Sequence, residues 1–206
     1  MKFEQHSLYP GDNYSNYEQG TVNLFTSMVQ PDWTVFDCGA KTGYFTLLFA
    51  ELCENGLVHS FEPTSTYDML MSNVNHYNLK NIILNKQALG EKSGELEDNI
   101  YRIWGQEPEK LTYNFTTIDE YCKKNKIKRL DLMKVDVDSY DFELLKGAVT
   151  TLKKLKPIIT VELNHALQLR NSTTEEGINW LYDLDYIQTS ITDGENYTFY
   201  HKQNIK

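Results

Sequence analysis

Asp37 is the first residue whose position suggests chemistry, because it ends an apolar run and is followed by two glycines. Residues 34–36 are typical of a buried strand, and a helical pattern begins at Tyr44. A strand, a glycine turn and a helix can present backbone N–H groups to a ligand at the carboxyl end of the strand. Gly39 and Gly43 have the spacing Gly-x-x-x-Gly, so the Gly-x-Gly-x-x-Gly dinucleotide fingerprint is not met. An ordinary turn between a strand and a helix is the alternative interpretation.

Glu62 is a second acid at the end of an apolar run, and it lies 19 residues after Gly43. In a nucleotide-binding βαβ unit, an acid about 20 residues after the last glycine accepts hydrogen bonds from ribose hydroxyls. An anionic acceptor suits a ribose diol and disfavours a 2′-phosphate. Asp37 and Glu62 together therefore predict a ligand of the adenosine type. The alternative is a glutamate that ends a strand by chance.

The elements that must position these acids alternate along the chain. Five units of strand and helix are predicted, followed by a hairpin that turns at Asp193-Gly194. The predicted strands of the five units are residues 34–37, 57–62, 81–89, 130–136 and 157–163. This alternation predicts an α/β fold with a mainly parallel sheet and helices on both faces. Ser15 is the predicted cap of the first helix, residues 95–103 a short added strand and residues 104–113 a loop.

Length, charge and cysteine content limit the class of protein. The 206 residues predict one domain, with residues 1–30 as an N-terminal arm and helix and residues 31–206 as a Rossmann-like core. The net charge of −9 disfavours a nucleic-acid partner, although residues 123–129 form a local basic run. The three cysteines have neither zinc spacing nor a disulfide pattern, which fits a cytoplasmic location. No membrane partner is expected, because the chain has no membrane-spanning run and no signal-peptide pattern.

Four motifs in order along the chain carry a resemblance to a known family. They are Asp37-Cys38-Gly39-Ala40-Lys41-Thr42-Gly43, Phe61-Glu62-Pro63, Asp131-Leu132-Met133-Lys134-Val135-Asp136-Val137-Asp138 with Leu145-Lys146-Gly147-Ala148, and residues 157–162. From about Trp33 to Leu163, the chain resembles the FkbM-type family of class I S-adenosylmethionine-dependent methyltransferases. The resemblance implies a Rossmann-like class I methyltransferase fold with a seven-stranded, mainly parallel sheet whose last strand is antiparallel. It also implies O-methylation, often of sugars or polyketide-type natural products.

The resemblance assigns S-adenosyl-L-methionine to the turn and strand ends described above. The residues that would bind this cofactor are Asp37, Gly39, Ala40 and Gly43 for its methionine part, Glu62 with Pro63 for its ribose, and Gln87 with Ala88 for its adenine edge. For Gln87, a strand-end amide without a role is the alternative.

Four positions depart from the family's usual pattern. Lys41 stands where the family usually has Asn, and Asp141 stands where it usually has Glu. Asp138-Ser139 replaces Glu-Gly, which puts a serine in the turn beside the expected reaction centre. These changes keep the acidic charges and raise the expectation of a shifted substrate.

Asp136 and His165 are the candidate bases, because each follows a predicted strand at its carboxyl end. A hydroxyl acceptor is a poor nucleophile until its proton is removed, so a base within hydrogen-bond reach would assist methyl transfer. Asp136 has the alternative role of binding the amino group of the cofactor. His165 has the alternative of being an ordinary loop residue.

A divalent cation, Mg²⁺ or Mn²⁺, is a possible second cofactor. Asp136, Glu162 and Asn164 offer hard oxygen ligands at adjacent strand ends. The alternative for Glu162 is a hydrogen bond to the neighbouring turn. The aromatic side chains of the N-terminal arm, Tyr9, Tyr14 and Tyr17, are expected either to cover the cleft, to line a sugar subsite or simply to pack.

These observations predict a methyltransferase that acts on a hydroxyl of a small molecule, with a sugar or glycan as the first candidate. One rival is a binding protein that kept the fold and lost the chemistry. A nucleic-acid methyltransferase is a second rival, which lacks support because no Asn/Asp-Pro-Pro-aromatic motif and no Pro-Cys pair are present. The oligomeric state is left open by the sequence.

Overall fold

The structure is a computed structural model that describes residues 2–8, 13–100 and 109–205. Tyr9, the rest of the arm segment at residues 9–12, and residues 101–108 of the predicted strand and loop lie outside the described residues.

Helices and strands alternate as the sequence predicts. The helices are α1 (Gln19–Met28), α2 (Tyr44–Leu52), α3 (Tyr67–His76), α4 (Ile118–Lys124), α5 (Asp141–Lys146), α6 (Val149–Leu155) and α7 (Thr174–Asp183), with 3-10 helices at His165–Arg170 and Lys202–Asn204. The strands are β1 (Thr34–Cys38), β2 (Leu57–Phe61), β3 (Ile82–Asn85), β4 (Ala88–Leu89), β5 (Gly94–Ile100), β6 (Glu109–Thr116), β7 (Leu132–Val135), β8 (Ile158–Glu162), β9 (Tyr186–Thr192) and β10 (Asn196–His201).

Within the described residues, seven strands form the main sheet in the order β3-β2-β1-β7-β8-β10-β9. The neighbours from β3 to β8 pair in parallel, and β10 is antiparallel to both β8 and β9. The last hairpin turns through residues 193–195, between the paired Thr192 and Asn196, with positive φ at Asp193 (51°) and Gly194 (88°). The predicted seven-stranded α/β fold with an antiparallel last strand is therefore confirmed.

Successive residues of each central strand face opposite layers of helices. On β1, Val35 packs in a cluster with Phe25 of α1 and Phe49 of α2. Phe36 points the other way, into a cluster with Tyr121 of α4 and Leu152 of α6. Asp37 has the parity of Val35, so its carboxylate lies on the layer formed by α1 and α2.

A second, smaller sheet was not predicted. Among the described residues it has three strands in the order β4-β6-β5. The third predicted strand was wrong in its length, because it ends at Asn85 and Ala88–Leu89 leaves the main sheet to pair with β6. The predicted loop at residues 104–113 was also wrong over its described part, where residues 109–113 begin β6 and pair with β5.

The start of the first helix differs from the prediction as well. Ser15 is not its cap, because α1 begins at Gln19 and the preceding Glu18 adopts a left-handed conformation (φ 40°) without a capping side chain. Asp193 of the β9–β10 turn caps the helix instead, since its carboxylate accepts from the backbone N–H groups of Gly20 (3.1 Å) and Thr21 (2.7 Å). In the described ranges, no helix has the length and apolar character needed to cross a membrane.

Candidate cofactor and active site

An open cleft lies at the carboxyl ends of the central strands. Most of the residues predicted to bind the cofactor line it, together with the candidate base: Asp37, Gly39, Ala40, Glu62, Pro63, Gln87, Ala88 and Asp136. Four other predicted site residues are not among its lining: Gly43, His165, Glu162 and Asn164. The location agrees with the general rule for ligands of open α/β sheets.

The glycine turn brings two strands into close contact. Gly39 has φ +87°, and its N–H donates to the carbonyl of Phe61 at 3.0 Å. A Cβ at this position would lie only 1.6 Å from the carbonyl oxygen of Asp136, so a side chain is excluded by both conformation and space. Gly43 has φ +96° and a Cβ there would lie 2.7 Å from Leu70, so this glycine acts by letting α2 start against α3.

Glu62 is buried and held by groups close to it in sequence. One carboxylate oxygen accepts from the backbone N–H of Lys41 at 2.9 Å. The other accepts from the backbone N–H (2.8 Å) and the hydroxyl (2.6 Å) of Thr64. Burial raises the pKa of Glu62 from its usual value, and these hydrogen bonds oppose the rise. The result is a fixed acceptor on the cleft wall, positioned before any ligand arrives.

Asp37 is fully buried at the end of β1. Its Oδ2 accepts from the hydroxyl of Thr46 on α2 at 2.5 Å, whereas its Oδ1 has no hydrogen-bond partner. Burial raises the pKa of Asp37, and the nearby Lys134 ammonium opposes the rise. A buried carboxylate oxygen without a partner is unusual in native proteins, and here it borders the cleft.

Lys134 is the residue that sequence analysis did not single out. Its side chain is only 2% exposed, and its Nζ donates to Oδ2 of Asp136 at 2.8 Å and lies 4.7 Å from the ring centroid of Phe45. Burial disfavours the ammonium, but the carboxylates of Asp136, Asp37 and Glu18 outweigh burial and raise the pKa of Lys134. A lysine inside the otherwise apolar run Leu132-Met133-Lys134-Val135 was the signal that could have identified it.

Asp136 directly follows β7 and lines the cleft, with 22% of its side chain exposed. The chain then turns sharply, with Asp138 in a left-handed conformation at φ 58°. Asp141 supports the turn, because its Oδ1 accepts from the backbone N–H of Val137 at 2.8 Å. Ser139 is buried and is not among the described residues with positive φ, so this turn does not need the glycine that is usual in the family.

Tyr140 forms the far wall of the cleft and is held by elements distant in sequence. Its ring lies 5.2 Å from that of Phe115 on β6 and 3.9 Å from the guanidinium carbon of Arg170. Its hydroxyl donates to Asp98 on β5, and Arg170 also donates to Asp98 at 3.0 Å. The small sheet and the 3-10 helix therefore fix one side of the cleft.

The cleft lining does not include the candidate cation ligands Glu162 and Asn164 or the second candidate base, His165. Asn164 uses its Oδ1 to accept from the backbone N–H of Ala166 at 2.8 Å, which caps the 3-10 helix that begins with the exposed His165. Burial and the carboxylates of Asp136 and Asp141 raise the pKa of Glu162 to about 11. Over residues 2–8, 13–100 and 109–205, no three His, Cys, Asp or Glu side chains converge as metal ligands.

The cleft fits S-adenosylmethionine on four observations. Glu62 is a preformed anionic acceptor for a ribose diol, and the unpartnered Oδ1 of Asp37 is a buried acceptor for a cationic group. Pro63, Gln87 and Ala88 complete the wall beyond Glu62, where the adenine is expected. The net excess of carboxylates over ammonium groups also suits a ligand that carries positive charge.

Comparison with solved structures identifies the class of fold. The methyltransferase FkbM from Methylobacillus flagellatus matches with a TM-score of 0.61 and 16% identity over 83% of this chain and 44% of its own. The O-methyltransferase from Bacillus cereus, solved in complex with SAH, has a TM-score of 0.52 and 15% identity over 93% and 82%. The fibrillarin pre-rRNA processing protein of Methanococcus jannaschii has a TM-score of 0.55 and 13% identity over 84% and 68%. The fold is that of the class I S-adenosylmethionine-dependent methyltransferases.

The sequence profile of the methyltransferase FkbM domain matches residues 37–187. The chain therefore belongs to the FkbM methyltransferase family, as its four motifs predicted. It spans less than half the length of the FkbM structure from Methylobacillus flagellatus. No curated protein sequence matches it significantly.

Proposed function

We propose that this methyltransferase transfers the methyl group of S-adenosylmethionine to a hydroxyl of a small molecule, with a sugar or glycan as the first candidate. The observation that carries the proposal is the carboxylate of Asp136, which faces the cleft while the buried Lys134 holds its Oδ2 at 2.8 Å. Oxygen acceptors need such a base, because a neutral hydroxyl is a weak nucleophile.

Bound S-adenosylmethionine supplies an electrophilic methyl group on a positively charged sulfur. Asp136 would accept the hydroxyl proton of the acceptor while the acceptor oxygen bonds to the methyl carbon, the bond between that carbon and sulfur breaks, and S-adenosylhomocysteine is the leaving group. Lys134 holds Asp136 in position for this step, because its buried ammonium donates a hydrogen bond to Oδ2 of the carboxylate at 2.8 Å. Glu62 and the glycine turn hold the cofactor in place, which leaves the alignment of the acceptor oxygen as the main requirement for a fast reaction.

The surroundings of Asp136 support a small polar acceptor. Tyr140 and Phe115 give the cleft an aromatic wall, and Asp138 adds an acceptor for hydroxyl groups. Aromatic faces combined with a few oriented polar groups are typical of small-molecule sites. The net charge of −9 offers little affinity for the phosphates of a nucleic acid.

The chemistry of the cleft favours an active enzyme over a binding protein that has lost its activity. The departure at Asp138-Ser139 leaves the turn without strain at Ser139, and Asp138 is a residue type that tolerates the left-handed conformation it adopts. Lys134 and Asp136 are both in place, and their charges are paired.

The test is transfer of a labelled methyl group from S-adenosylmethionine to panels of sugars, glycans, other hydroxylated small molecules and total RNA. We expect product in a hydroxylated small-molecule panel and loss of about 10²–10⁴-fold in turnover for Asp136→Asn, the range of general-base effects. His165→Gln is the control and should cost less than about tenfold, because this exposed residue does not line the cleft.

Two results would contradict the proposal. Labelling confined to RNA would replace the acceptor class, and near-normal turnover by Asp136→Asn with the true acceptor would remove Asp136 from the mechanism.

Turnover that survives dialysis against a chelator is also expected, since the candidate cation ligands Glu162 and Asn164 do not line the cleft beside Asp136.

A further inference from the structure

The N-terminal arm reaches the cleft through a cluster of tyrosines. Tyr14 and Tyr17 of the arm and Tyr44 at the start of α2 all line the cleft, and we call these three side chains the tyrosine cluster. Tyr14 stacks on Tyr44 with a centroid distance of 5.0 Å and an interplanar angle of 15°. Tyr17 meets Tyr44 edge to face at 5.4 Å and 82°. These contacts place two residues from outside the sheet core on the wall of the cofactor site.

The arm is anchored by specific hydrogen bonds to the glycine turn. The buried Asn73 accepts from the backbone N–H of Ser7 at 2.8 Å and donates to the carbonyls of Ser7 (2.8 Å) and Thr42 (2.7 Å). Gln5 and Tyr14 contact the hydroxyl of the same Thr42 at 2.5 and 3.2 Å. Thr42 itself is fully buried. The arm is therefore joined directly to the turn that carries the cofactor-binding backbone.

Tyr17 lies toward the transfer end of the cleft, whereas Tyr14 reaches the glycine turn, where its hydroxyl contacts that of Thr42 at 3.2 Å. Burial raises the pKa of Tyr17, and the nearby carboxylate of Asp136 raises it further, so the phenol is close to the candidate base and stays neutral. Phe45, which follows Tyr44, contacts both Tyr17 (6.3 Å between centroids) and the ammonium of Lys134 (4.7 Å). Glu62, which marks the ribose end, makes its hydrogen bonds to Lys41 and Thr64 instead.

The charges at this end have a negative excess. Three carboxylates, Asp37, Asp136 and Glu18, surround the ammonium of Lys134, and a second ammonium, that of Lys41, lies 5.8 Å from the ring centroid of Tyr14. The Oδ1 of Asp37 is buried there without a partner. Neutral aromatic faces beside uncompensated carboxylates form a site for a cation, because ring quadrupoles and anions both attract positive charge.

We infer that the arm completes the cofactor site, with Tyr14 and Tyr17 recognising the positively charged sulfur of S-adenosylmethionine. This inference rests on the family's cofactor and is independent of the acceptor proposed above. Its consequence is discrimination between substrate and product: S-adenosylhomocysteine lacks the methyl group and the positive charge on sulfur, so it gains less from the tyrosine cluster. A site built in this way holds the methyl donor and releases the spent product.

The test compares the dissociation constants of three ligands by titration calorimetry. S-adenosylmethionine has a charged sulfur, sinefungin has an ammonium-bearing carbon in its place, and S-adenosylhomocysteine is uncharged there. For Tyr17→Leu we expect about tenfold weaker binding of the two charged ligands and less than about threefold weaker binding of S-adenosylhomocysteine, the range of a desolvated cation–π contact. Tyr17→Phe keeps the ring and should bind all three ligands like the wild type.

Two further variants control for stability and for position. Tyr14→Leu tests the second ring in case Tyr17→Leu unfolds, and melting temperatures identify such unfolding. Tyr182→Leu removes a tyrosine that is 44% exposed and not part of the cleft lining, and it should change no dissociation constant. Hydrogen exchange of residues 13–18 should slow when S-adenosylmethionine binds, a readout that does not depend on activity.

Equal weakening of the charged and uncharged ligands, or no weakening in either leucine variant, would overturn the inference. Weaker binding of the acceptor alone would also overturn it, because the tyrosines would then belong to an acceptor subsite. If the wild type bound none of the three ligands, the assignment of S-adenosylmethionine as the cofactor would be contradicted. If the wild type bound them and the variants did not discriminate between charged and uncharged ligands, only the role of the arm would be contradicted.

Discussion

Glu62 and Asp136 are carboxylates that follow the two strands on either side of β1, yet the protein holds them in opposite ways. Glu62 is 5% exposed and accepts three hydrogen bonds from the neutral groups of Lys41 and Thr64, all within 21 residues of it in sequence. Asp136 is 22% exposed on its side chain and is paired with the charged Lys134. Fixed neutral donors hold Glu62 as a preformed acceptor for binding, whereas the open face of Asp136 allows its carboxylate to reach an acceptor in the cleft.

The difference extends to the two ends of the cleft. The ribose end is built from the turns that follow β1 and β2, and these two strands pair directly with each other. The transfer end combines the arm, β7, the small sheet and the 3-10 helix, which come from separate parts of the chain. Changes at each end should therefore have separable effects on cofactor binding and on methyl transfer.

Gly39 joins the two ends, and Gly39→Ala is the change with the largest expected effect. The new Cβ would lie 1.6 Å from the carbonyl oxygen of Asp136 at a φ of +87°. We expect a loss of more than about 5 kcal/mol in the free energy of unfolding, which is comparable to the total stability of a domain. Chemical denaturation measures it, and failure to obtain folded protein would agree with the prediction.

Gly194→Ala is the matched control for backbone conformation. Its φ of +88° is nearly the same, but a Cβ there would meet nothing within 4 Å. It should cost only about 1–2 kcal/mol, the penalty of a left-handed alanine. If Gly39→Ala and Gly194→Ala lost similar amounts of stability, Gly39 would be required for its backbone conformation alone. The close contact between the ends of the cleft would then not explain the need for glycine.

Lys134→Met is the next largest change, because it leaves Asp37 and Asp136 without the ammonium between them. Removal of one partner of a buried ion pair costs about 3–5 kcal/mol, and we expect a loss in this range at pH 8. The wild-type lysine has a raised pKa, so its stabilisation is present at neutral pH and is lost only as the pH rises through that raised value.

The pH dependence of Lys134→Met sharpens the prediction. Without the ammonium, the raised pKa of Asp37 rises further, and the folded state binds a proton that the unfolded state releases. The variant should therefore regain part of its stability as the pH falls from 8 to 5, measured by denaturation at both values. Lys146→Met, which removes a partly exposed lysine 3.7 Å from Glu143, should cost less than about 1 kcal/mol. A pH-independent loss in Lys134→Met would contradict the account of these charges.

The sequence was sufficient where the site is local, and insufficient where it is assembled from distant segments. Asp37, Gly39 and Glu62 lie within two consecutive units of strand and helix, so their spacing predicted that they lie together at one edge of the sheet. Their hydrogen bonds to Thr46, Phe61 and Thr64 were not predicted. The contact of Tyr140 and Arg170 with Asp98 depends on the pairing of β5 with β6 beside the cleft. No local pattern marks that pairing, and the glycine and proline of the stretch before β6 suggested a loop.

Gln87 and Ala88 show an intermediate case. Both residues line the cleft, and their contact with the adenine stays a prediction, but the strand that was expected to carry them ends at Asn85. The pattern of apolar residues continues through Leu89, and sequence alone cannot tell that the last two residues pair with a different sheet.

Lys41→Asn is the smallest change and tests the family departure at the ribose end. Lys41 has a left-handed backbone at φ 49°, which asparagine adopts more readily, while its N–H binds Glu62 with either side chain. We expect a stability gain of about 0.5 kcal/mol and an unchanged affinity for S-adenosylmethionine. Thermal unfolding and titration calorimetry check the two parts, and a lower melting temperature would show that the lysine side chain itself stabilises the turn.

The most direct test of the division between the two acids is a paired measurement on Glu62→Gln and Asp136→Asn. For each variant, calorimetry gives the dissociation constant of S-adenosylmethionine, and a single-turnover assay at saturating cofactor gives the rate of methyl transfer to the acceptor. Glu62→Gln should weaken binding about ten- to a hundredfold and leave the rate within about threefold, since a charged hydrogen-bond acceptor is lost. Asp136→Asn should bind within about threefold of the wild type and transfer the methyl group about 10²–10⁴-fold more slowly. If Asp136→Asn mainly weakened binding, or if both variants lost binding and rate together, the separation of a binding acid from a reacting acid would be contradicted.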